Sequence, residues 1–485
     1  MAANGYNARR STTKHAAEIC FYAPLAAIML TTVKETGGMG QTMQLQSSVL
    51  SFHRNLRLRF SEVNMKRTLI ALGLTAAMLA TGCQRRDVGG GGTGGGDPIK
   101  VGVYLDLSGQ TSSFGQSTKN GVEMARDEIN NAGGINGRKI ELVIEDEQGE
   151  PGKVTTVVTK LLRQDGVVAL LGEVASTNSL TAAPKAQEAK IPMITPSSTN
   201  PEVTKKGDYI FRVCFIDPFQ GEVMAKFAAN TLKAKKAAIL SDFNSDYSKG
   251  LTQFFKQSFT GLGGTIVNEK SYTQTDRDFS SQLTAIRASS PDVIYVPGYY
   301  GQVGVIAKQA RQQGITVPIL GGDGWDAPQL WELGGDAMNN TFISNHYSID
   351  DPLPLIQKFV ADYKARYGVN PDALAALGYD AMRVLGDALK RAGSTEGPKL
   401  RDAIAQTKDF PGVTGTITMN AERNVDKPAT VLELKAQDRK FAYKEKIYPD
   451  GMTPPTGSSP GASPSPAASA SPAATTASPS TTNAN

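Results

Sequence analysis

Residues 166–203 read GVVALLGEVASTNSLTAAPKAQEAKIPMITPSSTNPEV, and the alternation within this stretch decides the fold. Two short apolar runs, 167–171 and 191–195, flank an alanine-rich segment of helical length, which predicts neighbouring parallel strands joined by a crossover helix. Each run ends in hydroxyl residues: Ser176, Thr177 and Ser179 after the first, Ser197, Ser198 and Thr199 after the second. Parallel strands bring both clusters to the carboxyl edge of the sheet, where open α/β sheets bind ligands and helix N-termini aim free N–H groups. Taken singly, such residues are ordinary caps and loop residues. Two clusters at matching strand ends favour a binding site for a small anion.

Outward from this stretch the alternation continues. Upstream, a strand and its loop at 99–109 precede a helix at 115–132, with Val122, Ala125 and Ile129 on one face and Gly133-Gly134 as its stop; a strand at 139–145 and a helix at 153–164 follow. Downstream, a second series begins with a helix at 219–233. It runs through strands at 237–241, 265–271, 293–296 and 317–320 with helices between them at 248–260, 279–288 and 302–313. Helical segments at 353–367, 372–391 and 399–407 and strand-like runs at 414–419, 431–436 and 440–446 close the body. Two such series predict an α/β fold of two Rossmann-like lobes with parallel-dominated central sheets. Extended pieces near 211–217, 342–347 and 415–419 are the expected crossings, a three-stranded hinge beside a ligand cleft. Lobe 1 is expected at about 98–213 and 348–415, and lobe 2 at about 217–344 and 420–448.

The ends read differently. Residues 1–64 lack periodicity and carry seven Lys/Arg against three acids; Lys66 and Arg67 add two more positive charges, which leaves the rest of the chain near −1 of the net +5. The basic balance therefore says nothing about the body, and no nucleic-acid partner is expected. Residues 65–82 have a basic start, an apolar run and small residues before Cys83, the layout of a secretory signal and too short for a good transmembrane helix. Their ending, Leu79-Ala80-Thr81-Gly82-Cys83, resembles a lipoprotein signal-peptidase box, so Cys83 is the expected lipidation site and a membrane the expected anchor. Translation is expected to start at Met65. Residues 83–97 are a glycine-rich linker, and 449–485, rich in Pro, Ser, Ala and Thr, are expected to be a disordered tail.

Cys20, Cys83 and Cys214 have no metal-ligand spacing, and His346 is the only histidine between 98 and 448, so no metal or cofactor is expected. No nucleophile elbow, P-loop or HExxH motif appears, which leaves a secreted α/β hydrolase as the weaker alternative.

The stretches VGVYLDLSGQTSSFGQ, NGVEMARDEINNAGGINGRKIELVIEDEQGEP, MITPSSTNPEV, FRVCFIDPFQG and GYYGQVGVIAKQARQQG, in this order, resemble the type I periplasmic binding proteins, specifically the branched-chain amino-acid (leucine/isoleucine/valine) binding proteins of ABC importers. The resemblance implies an exported protein, no enzyme, that holds an amino acid in its cleft and hands it to an ABC permease. It implies Ser176, Thr199 and the backbone at Ser197 on the ligand carboxylate, and Tyr299, Asp323 and Tyr247 on the ammonium. Phe114 and Leu374 would line the side-chain pocket, and Trp325 stands close enough in sequence to join them. A buried zwitterion needs both charges paired, and neutral donors opposite one carboxylate meet that need. The chain also departs from the pattern. A disulfide expected in some members would join positions that here hold Glu147 or Gln148 and Ala175, so Cys214 is expected buried and unpaired. Asp323 is one methylene shorter than the expected glutamate, which opens the ligand class to related molecules; a sensor for amides or small carboxylates is the second alternative.

Overall fold

The computed structural model describes residues 96–452. The signal, Cys83, most of the glycine-rich linker and the tail beyond residue 452 lie outside the described residues. No helix among those described is long and apolar enough to cross a membrane.

The first sheet is wholly parallel, with β1 (Ile99–Leu105) between β2 (Ile140–Asp146) and β3 (Ala169–Leu171), followed by β4 (Met193–Thr195) and β5 (Ile210–Arg212) in the order β2-β1-β3-β4-β5. β1, β3, β4 and β5 are almost fully buried, as expected of near-continuous apolar runs covered by helices on both faces. Helices α1 (Ser112–Asn131), α2 (Pro151–Lys160) and α3 (Ser176–Ala189) are its crossovers. The alternation read at residues 166–203 is thus β3-α3-β4, with Leu170 and Leu171 registered against Met193 and Ile194.

The second sheet has seven strands. β6 (Lys236–Asp242), β7 (Thr265–Tyr272), β8 (Val293–Tyr295), β9 (Ile319–Gly321) and β10 (Thr341–Asn345) are parallel, and β13 (Ala429–Lys435) and β14 (Lys440–Ile447) add antiparallel at the β10 edge. Helices α4 (Asp217–Lys226), α5 (Asp246–Gly261), α6 (Ser280–Ala288), α7 (Tyr300–Gln312) and α8 (Gln329–Gly334) belong to this series. A π-helical turn extends α2 over Leu161–Asp165 and another extends α4 over Phe227–Thr231, so each helical run ends later than its α-helical part.

The chain passes between the sheets three times: at 213–216 after β5, at 346–353 after β10, and at 418–428 before β13. Helices α9 (Pro354–Tyr367), α10 (Ala373–Ala392) and α11 (Gly397–Ala405) return to the first lobe, where β11 (Phe410–Gly412) and β12 (Gly415–Ile417) form a separate two-stranded ladder. α10 is buried along nearly its whole length and lies against α1. Two glycines set how closely. A Cβ on Gly121 would stand 2.0 Å from the Ala375 carbonyl oxygen, and one on Gly378 would stand 2.5 Å from that of Thr118. This contact fixes the starts of both helices, which carry Phe114 and Leu374.

Candidate functional site

Every residue lining the central cavity except Leu374 follows the carboxyl end of a strand. From the first sheet come Phe114 beyond β1, Val174 beyond β3 and Ser197 beyond β4; from the second come Tyr247 beyond β6, Tyr299 beyond β8, and Asp323 and Gly324 beyond β9. Leu374 enters from α10. The cavity is narrow, with the two walls close together around it.

The second-lobe wall is charged. Asp323 opens a 3-10 turn after β9 and is 5% exposed. Its Oδ1 accepts from Gln220 Nε2 and from the Tyr247 hydroxyl, both at 2.7 Å, and its Oδ2 lies 3.0 Å from His346 Nε2. Burial works to raise its pKa, but His346, Gln220 and Tyr247 together outweigh it and hold the carboxyl below its usual value. His346 moves the other way to what a charged partner would need: burial dominates and lowers its pKa. The pair is therefore a carboxylate accepting from a neutral imidazole. Tyr247 also accepts from the Gly324 N–H at 3.1 Å, and burial keeps its phenol protonated and donating.

The first-lobe wall is neutral. The Ser197 hydroxyl is buried without a protein partner, and the buried Thr199 hydroxyl lies beside the Asp217 carboxyl, which burial pushes up to about 8. Their loop is fixed from behind by buried Arg212, which donates to the carbonyls of Ser198 at 2.5 Å and Asn200 at 2.8 Å and to Asn424 Oδ1 at 2.6 Å. Ser176 begins α3, and its hydroxyl accepts from the Asn200 N–H at 3.3 Å. Ser179 and Ser198 have a structural part, since their hydroxyls lie 2.7 Å apart and both donate to the Glu173 carbonyl.

Aromatic rings close the apolar side. Tyr247 and Tyr299 stack with centroids 5.2 Å apart and planes 8° apart, and Phe114 stands edge-on to Tyr299 at 5.9 Å and to Tyr300 at 4.9 Å. The lobes also touch directly: Tyr300 donates to the Gln110 carbonyl at 3.0 Å, and Thr177 and Asp246 hydrogen-bond each other.

Of the sequence-predicted residues, Phe114, Ser197, Tyr247, Tyr299, Asp323 and Leu374 line one cavity. Ser176 and Thr199 lie beside it in the hydroxyl loops but not on its lining. Trp325 is a correction. It is fully buried, its indole N–H donates to the Val296 carbonyl at 3.1 Å, and its ring packs on Gly321, so it belongs to the core beneath the site. The 3-10 turn explains this: at about three residues per turn, positions two apart point in different directions. Sequence reading missed Val174, Gln220 and His346. Gln220 lies within the FRVCFIDPFQG stretch, and the sequence around His346 carries no motif that marks it for a ligand site. Cys214 is buried and unpaired, its thiol pushed up to about 12 by burial. In place of a disulfide, buried Glu147 accepts from Asn178 Nδ2 at 3.2 Å.

Two lobes around a small cavity with one acidic and one hydroxyl wall define a solute-binding protein of the two-lobed class. Residues 98–439 match the model of the periplasmic binding protein family, and the chain belongs to that family. It is 33% identical over 322 residues to the Leu/Ile/Val-binding protein BraC3 of Rhizobium johnstonii, covering 66% of this chain and 87% of the relative. The crystal structure of a leucine-binding protein, LivK, from Thermotoga maritima superposes with a TM-score of 0.70 at 40% identity, covering 73% of this chain and all of that one. An ABC-transporter solute-binding protein from R. palustris in complex with benzoate superposes with a TM-score of 0.67 at 25% identity, covering 73% of this chain and 97% of that one. The family is one of solute-binding proteins of ABC transporters, not of enzymes.

Proposed function

We propose that the chain captures an α-amino acid with a small apolar side chain, branched-chain or closely related, and presents it to an ABC importer. The observation that carries this reading is the pairing of a buried, ionised Asp323 on one wall with the unpartnered Ser197 hydroxyl on the other, Thr199 standing just beside it. An ammonium beside Asp323 gains a charge-assisted hydrogen bond, and a carboxylate beside the hydroxyls and the N-terminal turn of α3 gains neutral donors. Each end of a zwitterion then has a partner, the condition for taking it out of water. Phe114, Tyr299, Val174 and Leu374 receive the side chain. A ligand that spans both walls favours the closed arrangement of the lobes, and the closed shape is what a permease reads.

A benzoate-like cargo, as in the R. palustris relative, fits less well. It has no cation for Asp323, and its carboxylate needs every donor on the hydroxyl wall. We also propose export and a lipid anchor at Cys83, from the signal-like residues 65–82. Thermal-shift screening of the purified protein against free amino acids, amides and small carboxylates tests the cargo. Branched-chain amino acids should raise the melting temperature in proportion to the logarithm of their concentration above the dissociation constant. Stabilisation by benzoates alone would overturn the reading.

A further inference from the structure

His346 follows β10, at the start of the second passage between the lobes, and Phe215 sits in the first passage. Their rings stack with centroids 3.8 Å apart and planes 22° apart. From this position His346 Nε2 reaches Asp323 Oδ2 at 3.0 Å, while Gln220 and Tyr247 occupy Oδ1. Asp323 is thus held by donors from three elements, and only His346 lies where the chain leaves the second lobe. A carboxylate accepts and does not donate, so Nε2 must carry the proton; Nδ1 is then the bare nitrogen, and it has no protein partner. Of the charged groups around the imidazole, Asp323 pulls toward protonation, whereas Lys427 from the third passage and burial oppose it.

We infer that His346 is the positioning residue of the ammonium site: clamped on Phe215, it donates to Asp323 Oδ2 and fixes the carboxylate in the orientation that meets the ligand cation. It ties recognition of the cation to two of the three passages between lobes. The inference rests on the amino-acid reading and deepens it. Without this donor, Asp323 keeps its charge and the two donors on Oδ1 but loses the one that holds Oδ2, and the ligand must then order that oxygen on binding. His346 touches no ligand in this account and acts only through Asp323.

The test compares L-leucine with 4-methylpentanoate, which is leucine without its amino group, by calorimetry on the wild type, His346→Leu and His346→Gln. In the wild type leucine should bind far more tightly. In His346→Leu the leucine affinity should fall about tenfold or more while that of 4-methylpentanoate is unchanged, and His346→Gln, which keeps an N–H donor, should recover most of the loss. Equal losses for both ligands, or leucine affinity unchanged in His346→Leu, would overturn the positioning role alone. A wild type without preference for leucine would overturn the amino-acid reading and this inference with it. Should His346→Leu fail to fold, nitrogen-15 spectra of the wild-type imidazole decide. Nε2–H with bare Nδ1 at neutral pH supports the inference, and the opposite tautomer overturns it.

Discussion

The Tyr247 hydroxyl donates to Asp323 Oδ1 at 2.7 Å while its ring lies flat against Tyr299, so one side chain orients the acidic wall and builds part of the apolar one. Tyr247→Phe keeps the stack and removes the donor. Ligand affinity should fall by about 1.5–3 kcal/mol, on the scale of one hydrogen bond to a charged group, and the ligand-free protein should also melt lower, because the buried Gly324 N–H loses its acceptor. Calorimetry and a ligand-free melt together check this.

Removing the charge itself should cost more. Asp323→Ala leaves a buried ammonium without its counter-charge, and truncating one partner of such a pair costs about 2–5 kcal/mol of binding. Equal affinity for the wild type and Asp323→Ala would place the ammonium elsewhere.

Beside the opposite wall, Thr199→Ala removes a hydroxyl that lies between the cavity and the buried Asp217 carboxyl. Affinity for an amino acid should fall by roughly 1–3 kcal/mol, the cost of a lost donor to a buried charge. The free protein should change little in stability, because burial holds the neighbouring Asp217 carboxyl up at about 8, largely protonated, with or without that hydroxyl. A loss of stability without a loss of affinity would make Thr199 structural.

Three acids lie together behind the first-lobe wall: Asp106, Glu147 and Glu173, all buried. Burial, with the neighbouring carboxylates adding to it, raises Glu147 from 4.5 to about 9, and burial also raises Glu173. A carboxyl whose folded-state pKa is raised binds more protons when folded than when unfolded. Its contribution to stability is therefore fully present below 4.5 and is lost as pH rises toward about 9. Melting temperature should fall over that range, and Glu147→Gln should flatten the fall. A wild-type melting temperature that rises over the same range would contradict the account.

Much of this architecture was legible because strands buried on both faces must be continuous apolar runs: 167–171 and 191–195 mark β3 and β4, and the residues just beyond them are the hydroxyl wall. Helix limits moved by a few residues; α1 begins at Ser112 rather than 115, and π-helical turns take over where α2 and α4 end. What could not be read is what depends on three-dimensional convergence. Gln220 and His346 stand 103 and 23 residues from Asp323 in sequence and meet it only when two passages and a sheet edge are folded together. Trp325 failed in the opposite way, close in sequence but turned into the core by the local helix.

The account stands on a ligand held at two opposite charges, and one titration series tests that directly. Calorimetry on the wild type with L-leucine, 4-methylpentanoate and 3-methylbutylamine presents the whole zwitterion, its acid end and its cationic end in turn. The account predicts tight binding of leucine alone, with each half-ligand weaker by about 2 kcal/mol or more. Binding of the acid or the amine as tightly as leucine would contradict it.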